Sequence, residues 1–332
     1  MIYWSYRKDH MFHFNVILQK QAERKVNNMK LATVRFNNEI YAGVVQGDSF
    51  YSFVDLDSKL PNDMLPFIEN YESLKPYVET GIKNTKPTCT ITDATFLAPL
   101  RNPISLRDFL GFEEHAKNSG KRFGMDMSKS LENWYTTSAF YYSNSNGING
   151  SDEPIEMHPS SQMFDFEFEI GFVIGKKGKN IAAADAGNYI FGFTIFNDWS
   201  ARDIQLQEMK TGMGAPKGKD YANTIGPVIV TKDELDQYLC KNDPQRYDLA
   251  TKLTRNGVLM RENNVKTIYH TFAGMIEWAS KDRDIYPGEL FGSGTIGGGA
   301  LLEYSPEIPW VNSGDVIEME VQGIGILKNI VK

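Results

Sequence analysis

Four stretches of this sequence carry side chains whose types and spacing could do chemistry. In MFDFEFEIGFVIG the acids Asp165, Glu167 and Glu169 recur at every second residue. On a strand all three share one face, and Phe164, Phe166, Phe168 and Ile170 take the other. Neighbouring carboxylates repel, so water or a cation must relieve them; a solvated polar face is the plainer reading of such a run. If a cation relieves them, removing Glu167 should ease the repulsion among its neighbours and weaken the site, leaving the metal-free protein no less stable but without its metal-dependent stabilisation. In IFGFTIFNDWSARDIQ an apolar strand ends at Asn197-Asp198 and a helix begins. Asp198 falls where strand gives way to turn, a common place for binding residues. Ser200 and Asp203 have capping-box spacing. Arg202 and Gln205, three apart, share a helix face and have no such structural task.

The third stretch, SLRDFLGFEEHAKNSGKR, pairs Ser105 with Asp108 at capping spacing and places His115 seven residues further on. On an unbroken helix that is ~10.5 Å along the axis, too far for two ligands of one ion. Either Gly111 breaks the helix or the two have separate tasks, such as a carboxylate ligand and a histidine base. A lone histidine is more often structural. The fourth, GSGTIGGGALLEYSPE, satisfies GxGxxG at Gly292, Gly294 and Gly297. It lacks the βαβ setting of a dinucleotide site. A glycine-rich turn that brings backbone N–H groups and Thr295 toward an anion fits better, with a plain tight turn as the alternative.

Short strands must position these groups. LATVRF, EIYAGVV and SFYSFV, separated by Asn37-Asn38 and Gln46-Gly47-Asp48, read as a β-meander. MLPFIENYESLKPYV reads as helical, interrupted at Pro66 and Pro76, and TFLAPLRNPISL as strand and connector. Beyond Arg101 to Pro103, short strands alternate with Gly-, Asn- and Asp-rich turns, and TIYHTFAGMIEWASK alone has a long helical period. The expected organisation is an extension over 1–28, a small domain over 29–102 and a larger one over 103–332. A docked helix through ILQKQAERKV is the alternative for the extension.

Composition removes several classes. The 332 residues are 41% hydrophobic and 23% charged, which suits a packed globular chain. Lysine plus arginine number 35 against 42 acids, a net charge of −7, so no basic field exists for nucleic acid. Cys89 and Cys240 form no CxxC pattern, so a zinc ribbon or disulfide framework is not expected and a reducing compartment is. No run of ~18 apolar residues is present to span a membrane. Charge within the first ten residues argues against a signal peptide, and the expected localisation is cytoplasmic.

The four stretches occur together, in one order, with a KGKDYANTIGP loop and the ending GDVIEMEVQGIGILKN. From about Ser105 to the C-terminus the chain resembles the fumarylacetoacetate hydrolase family, most closely in NDWSARDIQ, residues 197–205. The meander resembles that family's small N-terminal domain more weakly. The resemblance implies a β-rich mixed α+β fold, with a β-roll catalytic domain behind a small β-meander domain, and a homodimer formed mainly through the larger domain. It makes Asp108, Glu167, Glu169 and Asp198 metal ligands and His115 the base, oriented by Glu303. Arg202, Gln205 and Lys219 match residues that hold the substrate and its developing oxyanion. Thr295 matches a residue near the substrate carboxylate. Tyr141 matches a substrate-contacting tyrosine, with Tyr142 beside it as the other register.

An all-carboxylate set favours a hard divalent cation over zinc. Mg²⁺ is the expected ion, and Mn²⁺ or Ca²⁺ are alternatives. The implied activity is metal-dependent hydrolysis of a C–C bond in a small anionic 1,3-diketone, keto acid or acylpyruvate. The family also contains decarboxylases, isomerases, hydratases and sugar-acid dehydratases, and a catalytically silent metal-binding protein is the reading from another class. Leu110 stands where fumarylacetoacetase has a tyrosine, and the loop from Gln205 to Lys219 is one residue shorter. A different distal pocket is therefore expected.

Overall fold

The computed structural model describes residues 29–332; the expectations for residues 1–28 lie outside them. Turn chemistry sets the first elements. β1 (Lys30–Phe36) meets β2 (Glu39–Gln46) across Asn37-Asn38, both at positive φ, 51° and 64°. That twist is what a two-residue hairpin needs. β3 (Ser49–Ser52) follows Gly47-Asp48. SFYSFV does not run on as a strand: Ser52 Oγ accepts from Asp55 N and starts a helical turn at Phe53. Asp63 likewise caps α1 (Met64–Glu69) by accepting from Leu65 N at 2.9 Å. Pro66 sits in the first turn, where a missing N–H loses no bond. Pro76 lies inside α2 (Tyr71–Asn84).

The second part contributes β4 (Leu106–Phe109), α3 (Glu113–Asn118), β5 (Phe140–Ser143), β6 (Phe168–Ile174) and β7 (Ile190–Asp198). It continues with α4 (Arg202–Met209), β8 (Asn223–Thr231), α5 (Phe272–Ser280) and β9 (Leu290–Gly292). The segment 106–109 is thus a strand and not the start of a helix, and Ser105 Oγ caps nothing. Parallel pairing with β9, Leu290 against Leu106 and Gly292 against Asp108, overrides the local capping pattern. The second capping box is also absent. α4 begins without a side-chain cap, Ser200 Oγ donates to the Asp198 carbonyl, and Asp203 accepts from Ser161 Oγ and Gln162 N.

These strands form one twelve-stranded sheet, in the order Cys89–Thr90, β3, β2, β1, β8, β7, β6, β9, β4, β5, with Thr95–Leu97 also paired to β1 and Ile148–Asn149 to β8. A separate four-stranded sheet of Val258–Asn264, Ala250–Arg255, Val316–Val321 and Gly325–Ile330 packs against it, sharing a core that includes Leu253, Met319, Leu327, Phe193 and Val230. The fold is β-rich and mixed α+β, as expected. Leu31 to Val34 are all buried and do not alternate, because both faces of the sheet are covered here: Ala32 and Val34 pack into one core and Leu31 into another. Leu31, Val44, Phe53 and Phe67 share a core with Phe191, Ile225 and Leu290. Sheet and core both continue across residues 102 and 103.

Candidate active site

Adjacent strands bring the acids together. Asp198 ends β7, Glu169 is the second residue of β6, and Asp108 lies on β4, with β9 between β6 and β4. β9 presents Gly292 opposite Asp108. A Cβ there would meet the carboxylate oxygens of Asp108 and Glu169, so only glycine lets them converge. Glu167 precedes β6 and bridges to Ala300. One carboxylate oxygen from each of Asp108, Glu167 and Glu169 lies within 4.8 Å of the others. Asp198 stands outside this trio but shares a cation with it. Lys219 Nζ donates to Glu167 Oε2 at 2.5 Å and to Asp198 Oδ2 at 2.6 Å.

All four carboxylates are buried, so the solvated-face reading of the DFEFE run does not hold. Cations relieve it. Arg202 donates from Nε to Asp165 Oδ2 at 2.9 Å, from Nη2 to Glu167 Oε1 at 2.7 Å and from Nη1 to Gln205 Oε1 at 2.9 Å. Every guanidinium nitrogen has a protein partner. Burial works against the Glu167 carboxylate, yet Lys219 and Arg202 hold its pKa far below the usual range. Burial also works against the Lys219 ammonium, and Asp198 and Glu167 raise its pKa regardless. Burial, helped by repulsion from Asp108 and Glu167, pushes Glu169 well up, and burial raises Asp108. Tyr141 lines the cavity, its hydroxyl bonded to Asp108 Oδ2 and Asp198 Oδ2, while Tyr142 is exposed.

Two buried oxygens, Asp108 Oδ1 and Asp198 Oδ1, have no hydrogen-bond partner. An orphaned buried carboxylate oxygen is costly. A divalent cation among the Asp108, Glu167 and Glu169 oxygens would satisfy Asp108 Oδ1, and the all-oxygen donor set fits a hard ion.

His115 lies on α3, 4% exposed, with Nδ1 at 2.8 Å from Glu303 Oε1. Glu303 Oε2 accepts from Gly298 N at 2.9 Å. Gly298 has φ 77°, which glycine adopts freely. Burial depresses the imidazolium, but Glu303 and, further off, Glu167 outweigh it, so the His115 pKa is raised. The glycine-rich turn does approach anions, and they are the protein's own. Gly294 N donates to Glu169 Oε2 at 2.9 Å, and Thr295 Oγ1 lies 3.4 Å from Glu169 Oε1.

All eleven anticipated residues except Asp198 and Glu303 line one cavity of about 340 Å³, and those two bond directly to residues that do. A larger open groove of about 520 Å³, beside α5, contains none of them. Two positioning residues were not assigned from sequence. Asp165 anchors Arg202 and accepts from Leu301 N and Leu302 N, so it ties the Glu303 turn to α4. Its place in the DFEFE run was the available signal. Arg122 donates to the Leu301 and Ile308 carbonyls and stacks 3.7 Å over Trp310, strapping the segment after α3 onto the same turn. Nothing in GKRF marks it.

A continuous acid-lined site at the ends of sheet strands, with a seated histidine, agrees with the comparison to known proteins. Residues 105–332 match the family described as fumarylacetoacetate (FAA) hydrolase, C-terminal, and the chain belongs to that family. It is 28% identical over 323 residues to a mitochondrial oxaloacetate tautomerase of Rattus norvegicus, covering 94% of each chain. It is 29% identical over 276 residues to another of Xenopus laevis, covering 82% of this chain and 79% of that one. Among solved structures, a fumarylacetoacetate hydrolase from Exiguobacterium antarcticum superposes with a TM-score of 0.71 at 22% identity, covering 92% of this chain and 99% of that one. A maleylpyruvate hydrolase from Sphingobium, solved with manganese(II) and pyruvate, gives 0.68 at 20% identity, covering 91% and 98%. At that identity the structures speak for the fold alone.

Proposed function

We propose that the chain is a divalent-metal-dependent enzyme acting on a small 2-oxo acid, with His115 as the group that moves the proton. The observation that carries this is a buried His115–Glu303 pair opening on the same cavity as a cluster of carboxylates with orphaned oxygens. A silent metal-binding protein has no need of such a pair. Asp108, Glu167, Glu169 and Asp198 would hold the cation. Mg²⁺ is the ion proposed, with Mn²⁺, present in the Sphingobium structure, and Ca²⁺ as alternatives. When bound, the cation supplies Lewis-acid polarisation of a substrate oxygen.

The residues of the chain do the rest. Glu303 takes the Nδ1 proton of His115 in a hydrogen bond, which leaves Nε2 as the basic atom and stabilises the imidazolium that forms. Gln205 has its Oε1 occupied by Arg202, so its amide N–H groups are the ones left to donate to substrate. Lys219 sets a positive charge beside the site, where an oxyanion develops. Thr295 is placed beside Glu169 at the carboxylate-binding end. Arg202 keeps the acids and Gln205 in register.

Keto–enol tautomerisation is the reaction that the names of the curated relatives favour. His115 then removes a proton from the carbon beside the oxo group, and the oxygen gains one. The second reading is C–C hydrolysis of an acylpyruvate or 1,3-diketone, and the size of the cavity favours it: about 340 Å³ is more than a four-carbon acid fills. There His115 takes its proton from water, hydroxide adds to one carbonyl, and cleavage gives a carboxylic acid and a 2-oxo acid or ketone. The test is to follow decay of enol-oxaloacetate, and release of pyruvate from a panel of acylpyruvates, with and without EDTA. Metal-dependent acceleration of the first alone selects the tautomerase. Pyruvate with free acid selects the hydrolase, and carbon dioxide selects a decarboxylase. Activity that survives EDTA overturns the metal mechanism.

Three further readings belong with this one. Residues 29–102 serve as a supporting domain and 103–332 as the catalytic one. The protein acts as a homodimer. Free Cys89 and Cys240 suit a reducing compartment, for which the cytoplasm is proposed; cell fractionation tests it, and recovery in mitochondria, the location named for the relatives, would overturn it. Among the described residues no helix is long and apolar enough to cross a membrane.

A further inference from the structure

The cavity has two unlike ends. One holds the carboxylates, His115, Gln205 and Lys219. The other is walled by Leu110, Phe123, Met125, Met127, Leu206 and Met209. Met125 and Met209 are half-exposed at its mouth, 45% and 50%. The cations lining the cavity are Lys219 and Arg202, and both are paired with carboxylates at the first end. A substrate extending past the reacting carbons therefore meets thioethers, a phenyl ring and isobutyl groups, with no counter-charge. A carboxylate placed there would lose water and gain no cationic partner, and the Ser119 hydroxyl that also lines the cavity already donates to the Ala116 carbonyl. An alkyl or aryl group would bury apolar surface, and methionine side chains adapt to its length.

We infer that the physiological substrate is a 2-oxo or 2,4-dioxo acid whose far end is an uncharged apolar tail, and that Leu206, Met125, Met127 and Met209 select it. The inference rests on the proposed reading that the oxo-acid head binds at the acid cluster. Oxaloacetate would use the head of the site and leave its apolar end empty. Leu110 contributes directly, since a hydroxyl-bearing side chain at that position would offer a polar tail a donor.

Calorimetric titration of the full chain loaded with Mg²⁺ or Mn²⁺ tests this through affinity. One series is 2-oxobutanoate, 2-oxohexanoate and 2-oxooctanoate; the other is oxaloacetate, 2-oxoadipate and 2-oxosuberate. Affinity should rise by about threefold to fourfold per methylene in the first series, and each diacid should bind more weakly than the monoacid of matching length. Met209→Arg, at a half-exposed position that tolerates a long side chain, should flatten the first series and tighten the second. A thermal melt reports that the variant is folded. Diacids that bind more tightly than monoacids, or a flat first series, overturn the inference and leave the oxo-acid reading standing. If neither series binds, both fall.

Discussion

His115 offers the sharpest test at the level of single residues. His115→Gln should lower kcat by at least ~10²-fold with metal affinity nearly unchanged, because the imidazole contacts Glu303 and none of the four acids. Glu303→Gln should act the same way but less severely, since it orients the ring. Steady-state kinetics beside a metal titration separate the two effects. The pH dependence has a definite sign. A pKa raised above its unfolded value of 6.5 gives stability that is complete below 6.5 and is lost as pH climbs through the folded value. The base works only when neutral, so activity should rise over the interval in which that stability disappears. A pH–rate profile set against melting temperatures shows whether the two cross. A bound cation repels the imidazolium, so NMR titration of His115 should give a lower value with metal than without. The acids, His115 and Glu303 were legible from type, spacing and resemblance. The partners of Arg202 and Thr295 were not, because a sequence does not say that a guanidinium will be fully occupied by Asp165, Glu167 and Gln205, or that a glycine turn will bind the protein's own carboxylates.

Elements decide what those residues can do. The DFEFE run was read as a repulsive face, and on that basis loss of Glu167 costs the metal-free protein nothing. The structure reverses the sign. Glu167 is the shared partner of Lys219 and Arg202, which arrive from the 217–219 turn and from α4. Glu167→Gln leaves two buried cations undercompensated, at a cost of about 3 kcal/mol, the low end for breaking a buried pair. The metal-free melting temperature should therefore fall, and the rise on adding Mg²⁺ should shrink. Differential scanning calorimetry with and without metal measures both; an unchanged metal-free melt would restore the repulsive-face reading. Hairpins were legible because Asn37-Asn38 and Gly47-Asp48 carry their turn geometry locally. β4 was not, since its pairing with β9 joins Leu106 to Leu290, and no local pattern reports a partner that distant.

At the scale of the whole molecule, the proposed homodimer should form from a chain beginning at Met29, with activity intact. Light scattering on the eluted protein, with an assay of the same fraction, decides it; a monomer, or an inactive dimer, would make residues 1–28 part of the working protein. The fold class was legible from strand and turn spacing, but the single sheet across residues 102 and 103 was not, because the composition shifts there while the hydrogen bonding does not. That continuity has a consequence for biosynthesis. Met29 bonds to Thr231 in both directions, 202 residues away. At roughly 5–20 residues per second, the ribosome delivers that partner on the order of 10–40 s after β1 has emerged. For that time Thr95–Leu97 can pair with Thr33 to Arg35, but the Lys30–Leu31 end of the edge stays open and the core of Leu31, Val44 and Phe53 lacks Ile225 and Ile229. In the cell, a hairpin made early is therefore completed late, and a nascent chain halted before β8 should recruit holding chaperones more strongly than one halted after it.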